Sequence, residues 1–477
     1  MRRSDWKSVL DAAGAAALGH LDSLADRPVL PSADYEAIHA VLDRPLAAGG
    51  IEARQVISEL ADDLEPYITA QAGGRYFGFV VGGLHPAAFG AELLVTAWDQ
   101  NAPMFAGAPG VAVAEEVAAR WLVDLLGLPQ QSSVGFVTGG QMATFTGLAA
   151  ARHEVLREVG WDVEARGLPG APPVTVVVKT GAHATVLRAL RFLGLGEQAL
   201  VTVACDDEDR IRPDALREAL ATIHGPTIVV VESGNVNTGA FDDFDAVADL
   251  ADEHRAAGNP TWVHVDGAVM LLAAASRSMA GRVAGLDRLD SWSTDGHKLL
   301  NVAYDCGIAI CRNAAAHRAA MSVQAAYLEQ DSGARDPLGW GPDFSRRARG
   351  VPVYATLRAL GRDGVAELVE RVTTLARRFA DALTASGRAE IVNDVVSNQV
   401  LVRWLAPDGD HGRLADAVMT GVRTEGRAFF TGTTYRGERL MRISVSDWAT
   451  DEDDVDQALE ALLRHARLAT GVATEAS

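Results

Sequence analysis

Asp266 and Lys298 carry side chains able to hold and activate an aldehyde cofactor. Asp266 closes the apolar run Trp262-Val263-His264-Val265 and precedes Gly267-Ala268. Lys298 follows Ser293-Thr294-Asp295-Gly296-His297 and leads into the apolar segment 299–302. A lysine amine condenses with an aldehyde to a Schiff base once burial or a nearby cation leaves it partly deprotonated. A carboxylate at the end of a buried strand is costly unless a cation faces it. A protonated pyridine nitrogen is such a cation and also an electron sink for a carbanion. Together the two residues imply pyridoxal phosphate and bond-breaking at the α-carbon of an amino acid. Taken singly, Lys298 reads as a surface lysine and Asp266 as half of a salt bridge.

Three further runs bear on the same chemistry. Gly135-Phe136-Val137-Thr138-Gly139-Gly140-Gln141 leads into a helical stretch at 145–159. A glycine turn opening a helix presents N–H groups at the positive end of the helix dipole, which makes Gly140 and Gln141 candidates for a phosphate. The run is not GxGxxG and has no Walker lysine, which disfavours dinucleotides and nucleoside triphosphates. His183 follows a strand and opens a helix; its flat ring suits stacking on a planar cofactor, and it also suits a plain solvated helix start. Asn235, in Ser233-Gly234-Asn235-Val236-Asn237-Thr238-Gly239, is placed to hydrogen-bond a cofactor, although a polar turn needs no such role. His264 and Asp266 share one strand face with no third ligand in view, so no metal site is expected.

The elements that position these residues form an α/β pattern. Apolar, β-branched runs at 174–179, 199–204, 227–231 and 261–265 predict buried strands, and helical stretches at 184–193, 214–223 and 242–257 fall between them. A helix at 111–126 precedes them. Such alternation predicts a mostly parallel sheet with ligands at the carboxyl ends of its strands. Residues 1–75 read as a helical arm broken at Arg27-Pro28-Val29-Leu30-Pro31 and at Gly49-Gly50, with little core of its own. Residues 76–345 form the large domain and 346–477 a small α+β domain. Its expected elements are helices at 353–375 and 377–386, a strand at 399–404, a helix at 414–425 and a hairpin around Tyr435-Arg436-Gly437. Thr450 and Asp453 resemble a capping box opening a last helix at 455–468.

The 477 residues are 48% hydrophobic and 22% charged, enough chain for two domains with cores. A net charge of -20 opposes binding to nucleic acid. Three cysteines without CxxC spacing suit a reducing cytoplasm rather than a disulfide framework. Asp5 and Lys7 interrupt the basic N-terminus, so no signal peptide is expected, and no apolar run is long enough for a membrane span.

On these motifs the chain resembles the pyridoxal-phosphate-dependent group II amino acid decarboxylases, which share the aspartate-aminotransferase-like fold (fold type I). The resemblance extends to the arm ending Arg27-Pro28-Val29-Leu30-Pro31 and to Arg75-Tyr76-Phe77-Gly78-Phe79. It implies that Lys298 carries the cofactor, that Asp266 binds its ring nitrogen, and that Ala268 and His183 cover opposite ring faces. Gly140, Gln141, Asn235 and His297 would lie near the phosphate or ring, and the active protein would be a homodimer decarboxylating an L-amino acid to an amine. Gly296 stands where the family has proline, and Gly234-Asn235-Val236-Asn237 replaces a threonine-rich turn. The family also carries a proton-donating tyrosine on a mobile loop after the lysine. Here 328–344 holds Trp340 and Phe344 but no tyrosine, with Tyr327 just before it. That departure keeps open oxidative deamination to an aldehyde, or transamination, on the same cofactor. Arg442, in Leu440-Met441-Arg442-Ile443, is a candidate carboxylate clamp and equally a structural arginine.

Overall fold

The computed structural model describes residues 5–322 and 334–471. The chain divides into two compact units that do not follow chain order. Met1–Val81, Arg378–Val392 and Leu401–Ser477 form one; Gly82–Arg377 and Asn393–Val400 form the other. The first unit opens with α1 (Asp5–Ser23), α2 (Tyr35–Leu42) and α3 (Ala53–Leu64), and no residue of these helices is buried.

The second unit begins with α4 (Pro86–Trp98) and α5 (Pro109–Leu125), followed by β1 (Ser133–Val137), α6 (Gly140–Glu158) and the single turn α7 (Val163–Arg166). Strands and helices then alternate: β2 (Thr175–Lys179), α8 (Ala184–Phe192), β3 (Leu200–Val203), α9 (Pro213–Leu220), β4 (Thr227–Glu232), α10 (Phe244–Ala256), β5 (Thr261–Asp266). β6 (Ser291–Asp295), β7 (Gly307–Cys311), α11 (Ala314–Met321) and α12 (Gly350–Ala385) complete the series, with the end of α12 passing into the first unit. The sheet order is β1-β7-β6-β5-β4-β2-β3. Neighbours from β3 across to β6 pair in parallel, and β7 runs antiparallel to both β6 and β1. This is the mostly parallel α/β sheet that the sequence predicts.

Burial on both faces explains why β4 reads as an unbroken apolar run rather than an alternating one. Val176, Val178, Ile228, Val230 and Trp262 pack with Leu148 and Leu156 of α6 and with Val186 and Leu190 of α8. β6 departs from that composition. Its sequence, Ser-Trp-Ser-Thr-Asp, reads as a polar stretch, yet all five residues are buried. Each hydroxyl there has a partner, as buried polar groups require. Ser291 Oγ accepts from Trp262 Nε1 (2.7 Å), Ser293 Oγ pairs with Thr144 Oγ1 (2.9 Å), and Thr294 Oγ1 donates to the Gly267 carbonyl (2.9 Å). α6 starts at Gly140, earlier than the expected 145. Two helices do run through 350–385, but the break between them falls at Gly361, at φ +63°, rather than near 376.

The remainder of the first unit comprises β8 (Ala389–Ile391), β9 (Gln399–Trp404), α13 (His411–Glu425), β10 (Thr431–Tyr435), β11 (Glu438–Ser444) and α14 (Glu452–Thr470). The strands form a sheet in the order β10-β11-β9-β8. The predicted hairpin turns at Arg436 and Gly437, whose φ angles of +50° and +84° suit a tight two-residue connection. The capping box of α14 lies one residue later than expected. Asp451 and Asp454 form it, while Thr450 Oγ1 donates to the Gly74 carbonyl at 2.9 Å.

Candidate active site

β4, β5 and β6 end side by side in parallel, and each ends on a carboxylate: Glu232, Asp266 and Asp295. Glu232 and Asp266 are direct register partners. Beyond these ends lies a cleft lined by Gly140, Gln141, His183, Asp266, Ala268 and Lys298, together with Thr185, Glu232 and Asp295. Six of the eight residues singled out from sequence thus meet in one place, all within the second unit.

Asp295 organises the side nearest α6. Its Oδ1 accepts the backbone N–H of Gly140 in a short bond and lies 3.2 Å from His297 Nε2, while its Oδ2 is 2.9 Å from Lys298 Nζ. The start of α6 and the lysine are therefore tied to one carboxylate. The backbone at Lys298 is also closely packed: a Cβ at Gly82 would run into the Lys298 carbonyl.

Asp266 is 7% exposed, and its Oδ1 accepts the N–H of Ala268 at 3.1 Å. Burial, and then the charge of Glu232, push its carboxyl above the usual range, against His183 and Lys298, which favour the anion. His183 caps α8, with Nδ1 2.6 Å from Thr185 Oγ1, and remains exposed at the cleft.

Asn235 and His297 are not among the cleft-lining side chains. The Asn235 Oδ1 accepts N–H groups from Asn237 (2.8 Å) and Thr238 (3.0 Å), closing its own turn, and its Nδ2 donates to Glu232 Oε2 (2.9 Å). His297 stacks on Tyr304 with ring centroids 4.2 Å apart, and its Nδ1 accepts the N–H of Cys306 at 3.1 Å. Burial lowers its pKa, with Asp295 opposing. The two residues brace Glu232 and Asp295 respectively. His264 is fully buried, hydrogen-bonded to Ser291 Oγ at 2.8 Å, and burial takes its pKa down to about 3.

Sequence reasoning gave no role to Glu232, to the buried Lys179, whose ammonium pairs with Glu232, or to Asp295, which it read only as part of the lysine motif. The argument applied to Asp266, a carboxylate closing an apolar strand, applies equally to Glu232 after Val229-Val230-Val231. Asp295 gave no such signal because its strand is polar. Tyr327 and the first part of the loop at 328–344 lie outside the described residues. Of the rest, Trp340 packs edge-on to His317 and its carbonyl abuts Gly135 of β1. Arg442 belongs to the first unit, on β11, where burial lowers its pKa. Among the described residues no helix is long and apolar enough to cross a membrane.

Parallel strand ends bearing carboxylates, a lysine on the next turn and a helix N-terminus form an arrangement that suits an aldehyde cofactor with an anionic tail. Residues 39–404 match the family model described as the pyridoxal-dependent decarboxylase conserved domain, and the chain belongs to that family. It is accordingly a pyridoxal-phosphate-dependent lyase of amino acid metabolism. The chain is 27% identical to an L-2,4-diaminobutyrate decarboxylase from Rhizobium meliloti (strain 1021), over 92% of each chain. It superposes on the crystal structure of Oryza sativa TDC with PLP and tryptamine at a TM-score of 0.90 and 22% identity, covering 98% of this chain and 99% of the other. Rhodiola rosea 4-hydroxyphenylacetaldehyde synthase shares the fold at a TM-score of 0.86 and 20% identity, with the same coverage.

The donor set fits the cofactor. Lys298 offers an amine to an aldehyde, and Asp266 is a buried carboxylate without a cation bonded to it. The N-terminus of α6 offers N–H groups beyond that of Gly140, which Asp295 already engages.

Proposed function

We propose that this chain decarboxylates an L-amino acid to the corresponding amine and carbon dioxide, with Lys298 carrying the cofactor and Asp266 facing its ring nitrogen. The observation that carries this reading is that Lys298 and Asp266 share one cleft with the start of α6. Pyridoxal phosphate, when bound, supplies the electron sink for the pair left at Cα as carbon dioxide departs. Asp266, poorly solvated, keeps a proton between itself and whatever base faces it. Ala268 and His183 close the two faces of the cleft, and His183 also brings a group able to carry a proton. Gly140 and Gln141 hold the phosphate at the helix start, while Asn235 and His297 act from behind, through Glu232 and Asp295.

The protein is expected to work as a cytoplasmic homodimer. α1–α3 bury none of their residues, and on the second unit an apolar hollow lined by Leu94, Trp98, Val111 and Tyr354 faces solvent. Both features suit a second copy of the chain. The test is direct. Borohydride should fix the cofactor to Lys298, and Lys298→Ala should lose both the label and roughly a thousandfold or more of the activity. Retention of activity by that variant would remove the assignment. A panel of basic, aromatic and acidic amino acids, with carbon dioxide, amine, aldehyde and peroxide all measured, identifies the substrate. The same panel decides the second reading, oxidative deamination, which rests on the lack of a tyrosine at 328–344.

A further inference from the structure

Glu232 enters the reading above only as the group that Asn235 braces, yet it lines the cleft one strand away from Asp266. Its position is held from three directions. Lys179, 3% exposed at the end of β2, places its ammonium on Glu232 Oε2 and donates to the Asp209 carbonyl at 3.0 Å. Asn235 Nδ2 reaches the same Oε2 at 2.9 Å. Asp242, buried in the turn after β4, accepts the Glu232 backbone N–H at 2.7 Å and that of Ile211 at 2.6 Å. A buried lysine is costly unless a carboxylate and further hydrogen bonds meet its charge, as Glu232 and the Asp209 carbonyl do here. Burial disfavours the Lys179 charge, and Glu232 and Asp242 outweigh it.

We infer that Glu232, held in place by Lys179 and Asn235, is a positioning residue that holds the proton shared between Asp266 and the cofactor's ring nitrogen. The inference rests on the proposed pairing of Asp266 with that nitrogen. Two carboxylates at adjacent strand ends make a more negative pocket than one, and a negative pocket retains a proton to higher pH. The ionisable groups around Glu232 are Lys179 on β2, Cys205 after β3, Asp242 after β4, Asp266 on β5, and His183 and Lys298 across the cleft. Of these, Asp266, Lys298 and His183 belong to the chemistry at the ring, while Lys179 pairs with Glu232.

Three variants, Glu232→Gln, Lys179→Met and the two combined, separate this role from a merely structural ion pair. The readouts are the dissociation constant for pyridoxal phosphate added to apoprotein and the pH midpoint of the holoenzyme's visible absorption change. In the Glu232→Gln variant the midpoint should move down by about one pH unit, and affinity above it should weaken about tenfold, the factor belonging to one pKa unit. The double variant should keep both defects, since Lys179 matters only through Glu232, and Glu232→Asp should recover part of each. A double variant with wild-type affinity and midpoint would overturn the inference, because Glu232 would then serve only to neutralise Lys179. Should Glu232→Gln alone fail to fold, the double variant, which removes both members of the Lys179–Glu232 ion pair, decides the matter. Borohydride labelling of Lys298 in the wild type is the control. Its absence would undo the cofactor assignment itself, whereas a label together with a restored double variant would undo only the role of Glu232.

Discussion

Asp295 Oδ2 lies 2.9 Å from Lys298 Nζ, and the other oxygen of the same carboxylate accepts the N–H that opens α6. One side chain therefore sets both the lysine proposed to carry the cofactor and the helix end proposed to take the phosphate. Asp295→Ala should strand a buried N–H and an ammonium, lowering stability by about 2 kcal/mol in urea unfolding and weakening cofactor binding about tenfold. Asp295→Asn keeps an oxygen for Gly140, so it should lose less stability while still losing the ion pair. Identical unfolding curves for the two variants would mean that the Gly140 bond contributes nothing.

His264 makes stability depend on pH. Its folded pKa of about 3 lies below the unfolded value of 6.5, so the unfolded chain takes up the proton first as pH falls. The contribution is fully present above 6.5 and is lost progressively on the way down towards 3. Between pH 7 and pH 5 the wild type should lose about 2 kcal/mol more than His264→Gln, measured by urea unfolding at the two values. Equal losses would remove His264 from the acid response.

Gly82 has no room for a methyl group against the Lys298 carbonyl. Gly82→Ala should displace the lysine backbone, lowering stability by about 1–3 kcal/mol, as overpacked sites do. Borohydride incorporation at Lys298 should fall with it. A variant that folds less stably but labels at the wild-type rate would show that the strain relaxes away from the lysine.

Tyr327 is the tyrosine nearest in sequence to the loop at 328–344. If it delivers the proton to Cα, Tyr327→Phe should make less amine and more aldehyde and peroxide under air. An unchanged product ratio would assign the proton to another group, with His183 the next to vary.

The parallel sheet was legible because β2, β4 and β5 are β-branched and buried on both faces, leaving composition little freedom. Lys298 and Asp266 were legible for the opposite reason: each is a charge placed where composition does not want one. β6 hid itself because its hydroxyls are satisfied by Trp262, Thr144 and Gly267, partners distant in sequence that no local pattern announces. Asn235 and His297 were found as polar residues near the right turns, but their side chains are engaged by Glu232 and Cys306, and only three-dimensional contact reveals that. The displaced cap of α14 shows a smaller limit, since in Thr-Asp-Glu-Asp-Asp two registers offer equally good chemistry and Gly74 selects between them.

Helices α1–α3 bury no residue, and Trp6, Leu10 and Tyr35 lie 69%, 62% and 71% exposed. α2 and α3, at 8 and 12 residues, are short enough to be marginal in water by themselves. In the proposed homodimer their order becomes a matter of mass action: a second copy of the chain would hold them, and dilution would release them. Hydrogen exchange in residues 5–64 should accordingly quicken as the protein is diluted, while exchange in β4 and β5 stays slow. If the chain pairs as proposed, its helix content is in part a function of concentration.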